Sequence, residues 1–396
     1  MIVGALAIFT FASASFAANP HLVSFGDSFS DIGNVGTEGQ DIAYWNDRHS
    51  NGPLWNEYLA FNNKYTLVDF ANAGSTVNNT LVNSFSKSNI KLPSLSDQID
   101  NYVKLFGSNL TRHDVKKDIA AITVGSNDFS YAMKEMDKSA FKSVWYSSAL
   151  VDSIVSNIEK LINFGFKKVI LFNIPDLKNV PGISVQAGNF TSGLDLFVTL
   201  TNLKIEQSVK AINDKNIKNF DWVRVVNYYD VLNVMANQKD PKRNFGIINF
   251  NLPCNQVLSE NKLSKCTNPN QYFFFDSTHP TTKVHALIGA YASELISNSK
   301  FAVTFNSLFD IYNNYKIFEI TDSVNPLFIA NSTTTGNLTI DEFTVAQVIS
   351  NKTQIINEKR GKRFNNSASS KNKSFFTASS LMGASVMAAV AFATLL

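Results

Sequence analysis

Five short runs of the chain are apolar without alternation: Leu22–Phe25, Thr66–Phe70, Ile119–Val124, Lys168–Ile174 and Val223–Tyr228. A strand buried on both faces reads this way, as in a parallel sheet covered by helices. Each run ends in a polar or Gly/Pro cluster, such as Gly26-Asp27-Ser28 or Gly125-Ser126-Asn127-Asp128. Helical patterns fall between the runs. Pro53–Phe61 opens on a proline, as a first helical turn tolerates. Leu150–Phe164 places Val151, Ile154, Val155, Ile158, Leu161 and Ile162 on one face and stops at Gly165. Leu196–Ile212 is a weaker case, and Thr281–Ile296 predicts a last helix rich in small and apolar residues. The alternation predicts an α/β fold, a three-layer α/β/α sandwich around a mostly parallel five-stranded sheet. Sites in such sheets form at the carboxyl ends of strands, where the polar clusters lie. Phe301–Ser350 is apolar enough to pack but shows no clear period, and from Asn351 the chain turns polar and basic.

Composition narrows the class. Of 396 residues, 44% are hydrophobic and 17% charged, which excludes a disordered chain. The 32 Phe scatter through apolar runs and read as core. The net charge of +3 hides an asymmetry. Lys359, Arg360, Lys362, Arg363, Lys371 and Lys373 cluster without an acid, and setting those six aside leaves the rest at −3. The body of the chain therefore lacks the basic footprint that nucleic acid requires.

Both ends read as address labels. Met1–Ala17 is apolar and closes with Ser15-Phe16-Ala17, small residues where a signal peptidase reads. The alternative is a buried N-terminal helix, but Asn19-Pro20 interrupts the run. At the other end, small residues at Asn366–Ser370, a polar spacer and the apolar tail Leu381–Leu396 follow the order of a GPI attachment signal. A plain tail anchor is the alternative, although 16 residues are short of the ~20 a spanning helix needs. The expected segments are a signal peptide (1–17), a catalytic domain (18–300), an extension of unknown packing (301–350), a basic linker (351–374) and the tail (375–396). Eight N-x-[ST] sequons, at Asn78, Asn109, Asn189, Asn331, Asn337, Asn351, Asn365 and Asn372, suit a glycosylated surface protein. In that compartment a disulfide is the default for the two cysteines, Cys254 and Cys266.

The chemistry is carried by four clusters. Gly26 permits a tight turn after the first strand, displaying Ser28 as a candidate nucleophile. In Asp276-Ser277-Thr278-His279-Pro280 the carboxylate is spaced to hold the imidazole in one tautomer. His285, six residues on, does not share a helical face with His279, which argues against a metal pair. Gly74 and Asn127 each follow an apolar run, and a glycine N–H and an asparagine amide are suitable oxyanion donors. Singly, each is an ordinary turn residue.

Together, and in this order, the four clusters resemble the GDSL, or SGNH, hydrolases over about residues 20–297. The resemblance implies a flavodoxin-like sandwich, with Ser28 as nucleophile, His279 as base and Asp276 as its orienting acid. It implies an oxyanion hole of Ser28, Gly74 and Asn127, and no metal or organic cofactor. Phe29 stands where the family name has Leu. Ser50–Leu59 and Ser94–Ile99 resemble the longer secreted members, which include fungal acetylesterases and lipases or phospholipases. The expected function is a secreted or cell-surface serine esterase that hydrolyses carboxylic esters by two-step acyl transfer and deacetylates carbohydrates. A lipase or phospholipase acylhydrolase is the alternative. The expected partner is an ester substrate, an acetylated carbohydrate or a lipid, with membrane attachment only through the tail. Trp45 and Trp55 suit either stacking on a sugar or lining an acyl groove. An alternative of another class is a non-catalytic surface protein on the same fold.

Overall fold

The computed structural model describes residues 19–107, 114–188, 190–237, 245–259, 262–329 and 337–353. The expected signal peptide, nearly all of the basic linker and the apolar tail lie outside these residues. So do the sequons at Asn109, Asn189, Asn331, Asn365 and Asn372.

In chain order the elements begin with β1 (His21–Gly26), α1 (Trp55–Asn63), β2 (Thr66–Asp69), α2 (Asn79–Ser86) and α3 (Leu95–Phe106). Next come β3 (Ile119–Thr123), α4 (Ser126–Met136), α5 (Ala140–Phe164) and β4 (Lys168–Phe172). Then follow α6 (Pro181–Ala187), α7 (Thr191–Asp214), β5 (Trp222–Val226) and α8 (Tyr228–Ala236). A hairpin, β6 (Asn255–Ser259) and β7 (Lys262–Lys265), precedes α9 (Thr282–Ser297), α10 (Phe305–Asn314) and β8 (Glu342–Phe343).

All five expected strands form, in the order β5-β4-β3-β1-β2, and every pairing is parallel. The sheet has a sixth strand where five were expected. β8 pairs with β2, matching Leu67 with Glu342 and Val68 with Phe343. Two residues are too few to carry a period, which is why the sequence pattern misses this strand.

The pleat of β1 sets the layers. Successive side chains point to opposite faces. Ser24 meets α1, where Asn56 Nδ2 donates to its hydroxyl at 3.2 Å. Phe25 meets α3, with its ring centroid 5.6 Å from that of Tyr102. On the first side, α1 lies against α9 so closely that a Cβ on Gly289 would stand 2.6 Å from the Trp55 carbonyl oxygen. On the second, α5 packs between α3 and α7. α5 extends ten residues before the expected start at Leu150, and Gly165 ends it with φ +123° as expected. Pro53 lies one residue outside α1, whose N-cap is Leu54, rather than in its first turn.

Residues after 300 belong to the same compact unit, which runs to Lys352. They are fastened by a buried ion cluster. Arg48 Nη2 reaches Glu57 Oε1 at 2.8 Å and Glu342 Oε1 at 2.7 Å. The disulfide forms: Cys254 and Cys266 are bonded across the base of the β6–β7 hairpin.

Candidate active site

The nucleophile turn is built by the end of β1. Gly26 has φ +147°, and a Cβ there would stand 2.0 Å from the Thr123 carbonyl oxygen. Only glycine fits against β3 at this point. Asp27 N–H donates to that Thr123 oxygen at 3.2 Å. Asp27 then starts a helical turn, its carbonyl accepting from Ser30 N–H and Asp31 N–H. Ser28 projects from this turn into a cavity of about 570 Å³. Asp27 itself is buried, and burial pushes its carboxyl up to about 6 against the opposing hydrogen bond from Phe29 N–H.

The facing loop follows residues 273–275. Phe275 N–H donates to the His279 carbonyl at 2.7 Å, and Thr281 N–H to that of Phe273 at 2.9 Å. The loop is therefore a closed turn, and α9 begins only afterwards, at Thr282. Asp276 Oδ1 accepts from Thr278 N–H and His279 N–H, each at 2.7 Å. Its Oδ2 takes His279 Nδ1 at 2.7 Å. On the far side of the ring, His279 Nε2 lies 2.7 Å from Ser28 Oγ. With Nδ1–H donating to the carboxylate, Nε2 is left to accept the serine proton. Burial opposes charge on both partners and is outweighed in each. The His279 ring and the surrounding donors hold Asp276 well below the usual carboxylate range. Asp276, with help from Asp27, holds His279 above the ordinary histidine value.

Gly74 and Asn127 line the same cavity as Ser28. Gly74 has φ +83°, in a turn braced by Ser75. Asn127 Nδ2 donates to the Ser75 carbonyl at 2.9 Å, which leaves its second amide hydrogen free for a ligand. The structure thus brings together Ser28, Gly74, Asn127, Asp276 and His279.

Three further residues belong to this assembly and were not singled out from the sequence. Gln98 clasps Gly26, donating to its carbonyl and accepting from its N–H, both at 2.8 Å, and also donates to Ser75 Oγ at 3.0 Å. It ties the Ser28 turn to the Gly74 turn, and it lies within the Ser94–Ile99 stretch that carries the family resemblance. Tyr44 donates its hydroxyl to Asp276 Oδ2 at 2.6 Å. The His49 ring lies with its centroid 4.9 Å from that of His279. Burial, then the His279 charge, brings His49 down to about 4, so it stays neutral beside the imidazole. No local signal marks Tyr44 or His49, because their partners are more than 200 residues away.

Other candidates lie elsewhere. His285 is in the core, where its Nδ1 accepts from Trp55 N–H at 3.3 Å. Among the described residues no group of three or more His, Cys, Asp or Glu is arranged to hold a metal ion. Trp55 is fully buried and donates to Ser30 Oγ at 3.0 Å. Trp45 packs on Phe328. Neither tryptophan lines the cavity. Its apolar wall is built instead by Phe29, Phe172, Val180, Ile183 and Tyr228.

Residues 22–292 match the family model of the GDSL-like lipase/acylhydrolases. GDSL esterase/lipase 7 of Arabidopsis thaliana is 26% identical over 193 residues, covering 45% of this chain and 52% of the relative. GDSL esterase/lipase 5 of the same plant is 22% identical over 315 residues, covering 67% of this chain and 80% of the relative. The chain thus spans about half the length of the first of these curated relatives. A crystal structure of a lipolytic G-D-S-L family protein from Veillonella parvula DSM 2008 aligns with 70% of this chain and 98% of its own. Its TM-score is 0.36, at 15% identity. With the matched segment covering most of the chain, including Ser28, Gly74, Asn127, Asp276 and His279, the protein belongs to the GDSL-like lipase/acylhydrolase family.

Proposed function

We propose that the protein is a serine hydrolase of carboxylic esters, working by two-step acyl transfer. The observation that carries the reading is the hydrogen-bonded line Ser28–His279–Asp276, 2.7 Å at each link, at a cavity with an apolar wall. His279 Nε2 takes the Ser28 proton as Oγ attacks the ester carbonyl, and Asp276 stabilises the imidazolium that forms. The oxyanion is received by the Ser28 and Gly74 N–H groups and the Asn127 amide. His279 then protonates the departing alcohol, and water reverses the first half to release the acid.

A cavity of about 570 Å³ walled by Phe29, Phe172, Val180 and Ile183 has room for an acyl chain longer than acetyl. This favours the lipase or acylhydrolase reading over simple deacetylation. The expected setting is the cell surface or the medium, reached through the 1–17 signal peptide and held by a GPI anchor in place of the tail. The disulfide suits an oxidising compartment.

A fluorophosphonate probe and a panel of esters graded by chain length test the reading. The wild-type chain should label and hydrolyse, and Ser28→Ala should do neither while melting at a similar temperature. Full hydrolysis by Ser28→Ala would end the assignment. Absence of labelling in the wild type would favour the non-catalytic surface protein.

A further inference from the structure

The loop between β1 and α1 makes a tight hairpin at residues 45–50. Trp45 N–H donates to the Ser50 carbonyl and Arg48 N–H to that of Trp45, each at 2.9 Å. Asn46 and Asp47, at φ +44° and +63°, form its left-handed tip, a conformation that Asn and Asp tolerate. One side of the hairpin faces the catalytic loop. Tyr44 donates to Asp276, the His49 ring centroid lies 4.9 Å from that of His279, and Ser50 Oγ donates to the Pro280 carbonyl at 2.9 Å. The other side faces the chain after residue 300. Arg48 is held between Glu57 of α1 and Glu342 of β8. The Trp45 ring packs 5.7 Å from that of Phe328, and Asn51 Nδ2 donates to Asp322 Oδ1 at 3.3 Å. Arg48 also ties the hairpin to itself, donating to the Asn46 carbonyl at 2.7 Å and lying 5.1 Å from the centre of the Trp45 ring.

We propose that the C-terminal return is a working part of the active site, in which Glu342 is a positioning residue that, through Arg48, holds Tyr44 and His49 against the Asp276–His279 pair. The inference rests on the hydrolase reading above and deepens it. Arg48 is clamped between two rigid elements. β8 is paired to β2, and Glu57 is fixed at the start of α1, where its Oε2 accepts from Leu54 N–H at 2.6 Å. The guanidinium is buried, so losing Glu342 leaves it with Glu57 alone and removes the outer stop of the hairpin. Asp322, Phe328 and Glu342 all lie beyond residue 292, outside the segment that matches the family.

The groups facing His279 set the expected sign. They are Asp276 on its own loop, Asp27 on the nucleophile turn, Tyr44 and His49 on the hairpin, and His285 of α9, which burial keeps neutral. Burial lowers His279, and Asp276 raises it. A hairpin that swings away lets water reach the ring and withdraws the Tyr44 donor from Asp276. Both changes raise His279.

The test is the pH profile of kcat/KM for the full chain on ethyl butyrate, read beside a thermal melt. Glu342→Ala should move the acid limb up by about 0.5 pH unit, a loss of about threefold on that limb. Glu342→Gln keeps an oxygen that accepts from Arg48 and should retain the wild-type limb. Leu308→Ala opens a cavity in α10, elsewhere in the return, and should lower the melting temperature without moving the limb. Phe328→Ala removes the pad under Trp45 and should act as Glu342→Ala does, which keeps the test open if Glu342→Ala does not fold. A limb unmoved in Glu342→Ala and Phe328→Ala, or moved equally by Leu308→Ala, overturns the proposal and leaves the hydrolase reading intact. Absence of hydrolysis by the wild type overturns that reading instead, and this one with it.

Discussion

Replacing Tyr44 with Phe removes one donor from Asp276 and leaves the ring in place. The hydroxyl donates at 2.6 Å to the same Oδ2 that holds His279 Nδ1. A hydrogen bond to a charged group contributes about 1.5–3 kcal/mol. Once His279 is protonated, the imidazolium offsets much of the carboxylate charge, and the Tyr44 bond falls to about the strength of a neutral one, ~1 kcal/mol. The difference, about 1 kcal/mol, favours neutral His279 in the wild type and is lost in the variant. It corresponds to about 0.7 pK unit. His279 already sits above its ordinary value, and Tyr44→Phe should raise it further. The base must be neutral to work, so activity is lost as pH falls through the His279 value. The acid limb of kcat/KM should therefore move up by about 0.7 pH unit, with kcat/KM down about fivefold on that limb and little changed on the alkaline plateau. Asp276 stays ionised because Thr278 N–H and His279 N–H still serve its other oxygen. The stability linkage has a definite sign. A raised histidine stabilises the fold below its unfolded value of ~6.5, and that contribution is lost as pH rises through the folded value. The thermal penalty of Tyr44→Phe should accordingly be larger at pH 9 than at pH 5. A pH–rate profile with an acid limb that is unmoved, or moved down, refutes the reasoning.

Other perturbations have separate readouts. Asn127→Ala should lower kcat by about 10²–10³, the usual effect of removing one oxyanion donor, with a smaller change in KM. Steady-state kinetics on a short-chain ester would show it, and a loss confined to KM would remove Asn127 from that role. Cys254 and Cys266 are 12 apart in sequence, so opening their bridge with Cys266→Ser should cost about 3 kcal/mol by the loop-entropy relation. Urea unfolding measures this, and an unchanged midpoint would mean the hairpin is held by its other contacts. Asp128 is fully buried, and burial pushes its carboxyl up to about 7. Because that folded value is raised, its ionisation weakens the fold as pH climbs through about 7. Asp128→Asn should raise the melting temperature at pH 8 and lose that advantage towards pH 4; a lower melting temperature at pH 8 would contradict it.

The parts legible in the sequence were those whose signal is local. Leu22–Phe25 and Ile119–Val124 are mostly apolar, with no alternation, because both faces of their strands are covered. Ser28, Gly74 and Asn127 follow β1, β2 and β3, and Asp276 and His279 share the loop before α9, each in a polar cluster whose composition marks it. What escaped depends on chain segments meeting across long separations. Tyr44 and Asp276 are 232 residues apart. The loop between β1 and α1 has no period to announce that it folds over the histidine. Trp55 illustrates the reverse error. An aromatic near the site suggested a ligand surface, but its position at the start of α1 turns it inward, where its ring packs 4.4 Å from Phe172. The chemistry of a side chain was readable; its direction required the packing of α1 on the sheet.

The two-residue strand β8 has a consequence out of proportion to its length. It covers the flank of β2, where Leu67 N–H donates to the Asp341 carbonyl at 2.9 Å. An uncovered flank would present a row of open N–H and C=O groups, a ready template for another chain. The family match ends at residue 292, fifty residues before this cover. A protein cropped at that boundary would expose the β2 edge and strip Arg48 of one of its two carboxylates. Its characteristic failure would be edge-to-edge pairing between copies, seen as oligomers that grow with concentration. The C-terminal return thus acts as a guard on the sheet, keeping neighbouring molecules from pairing along its edge.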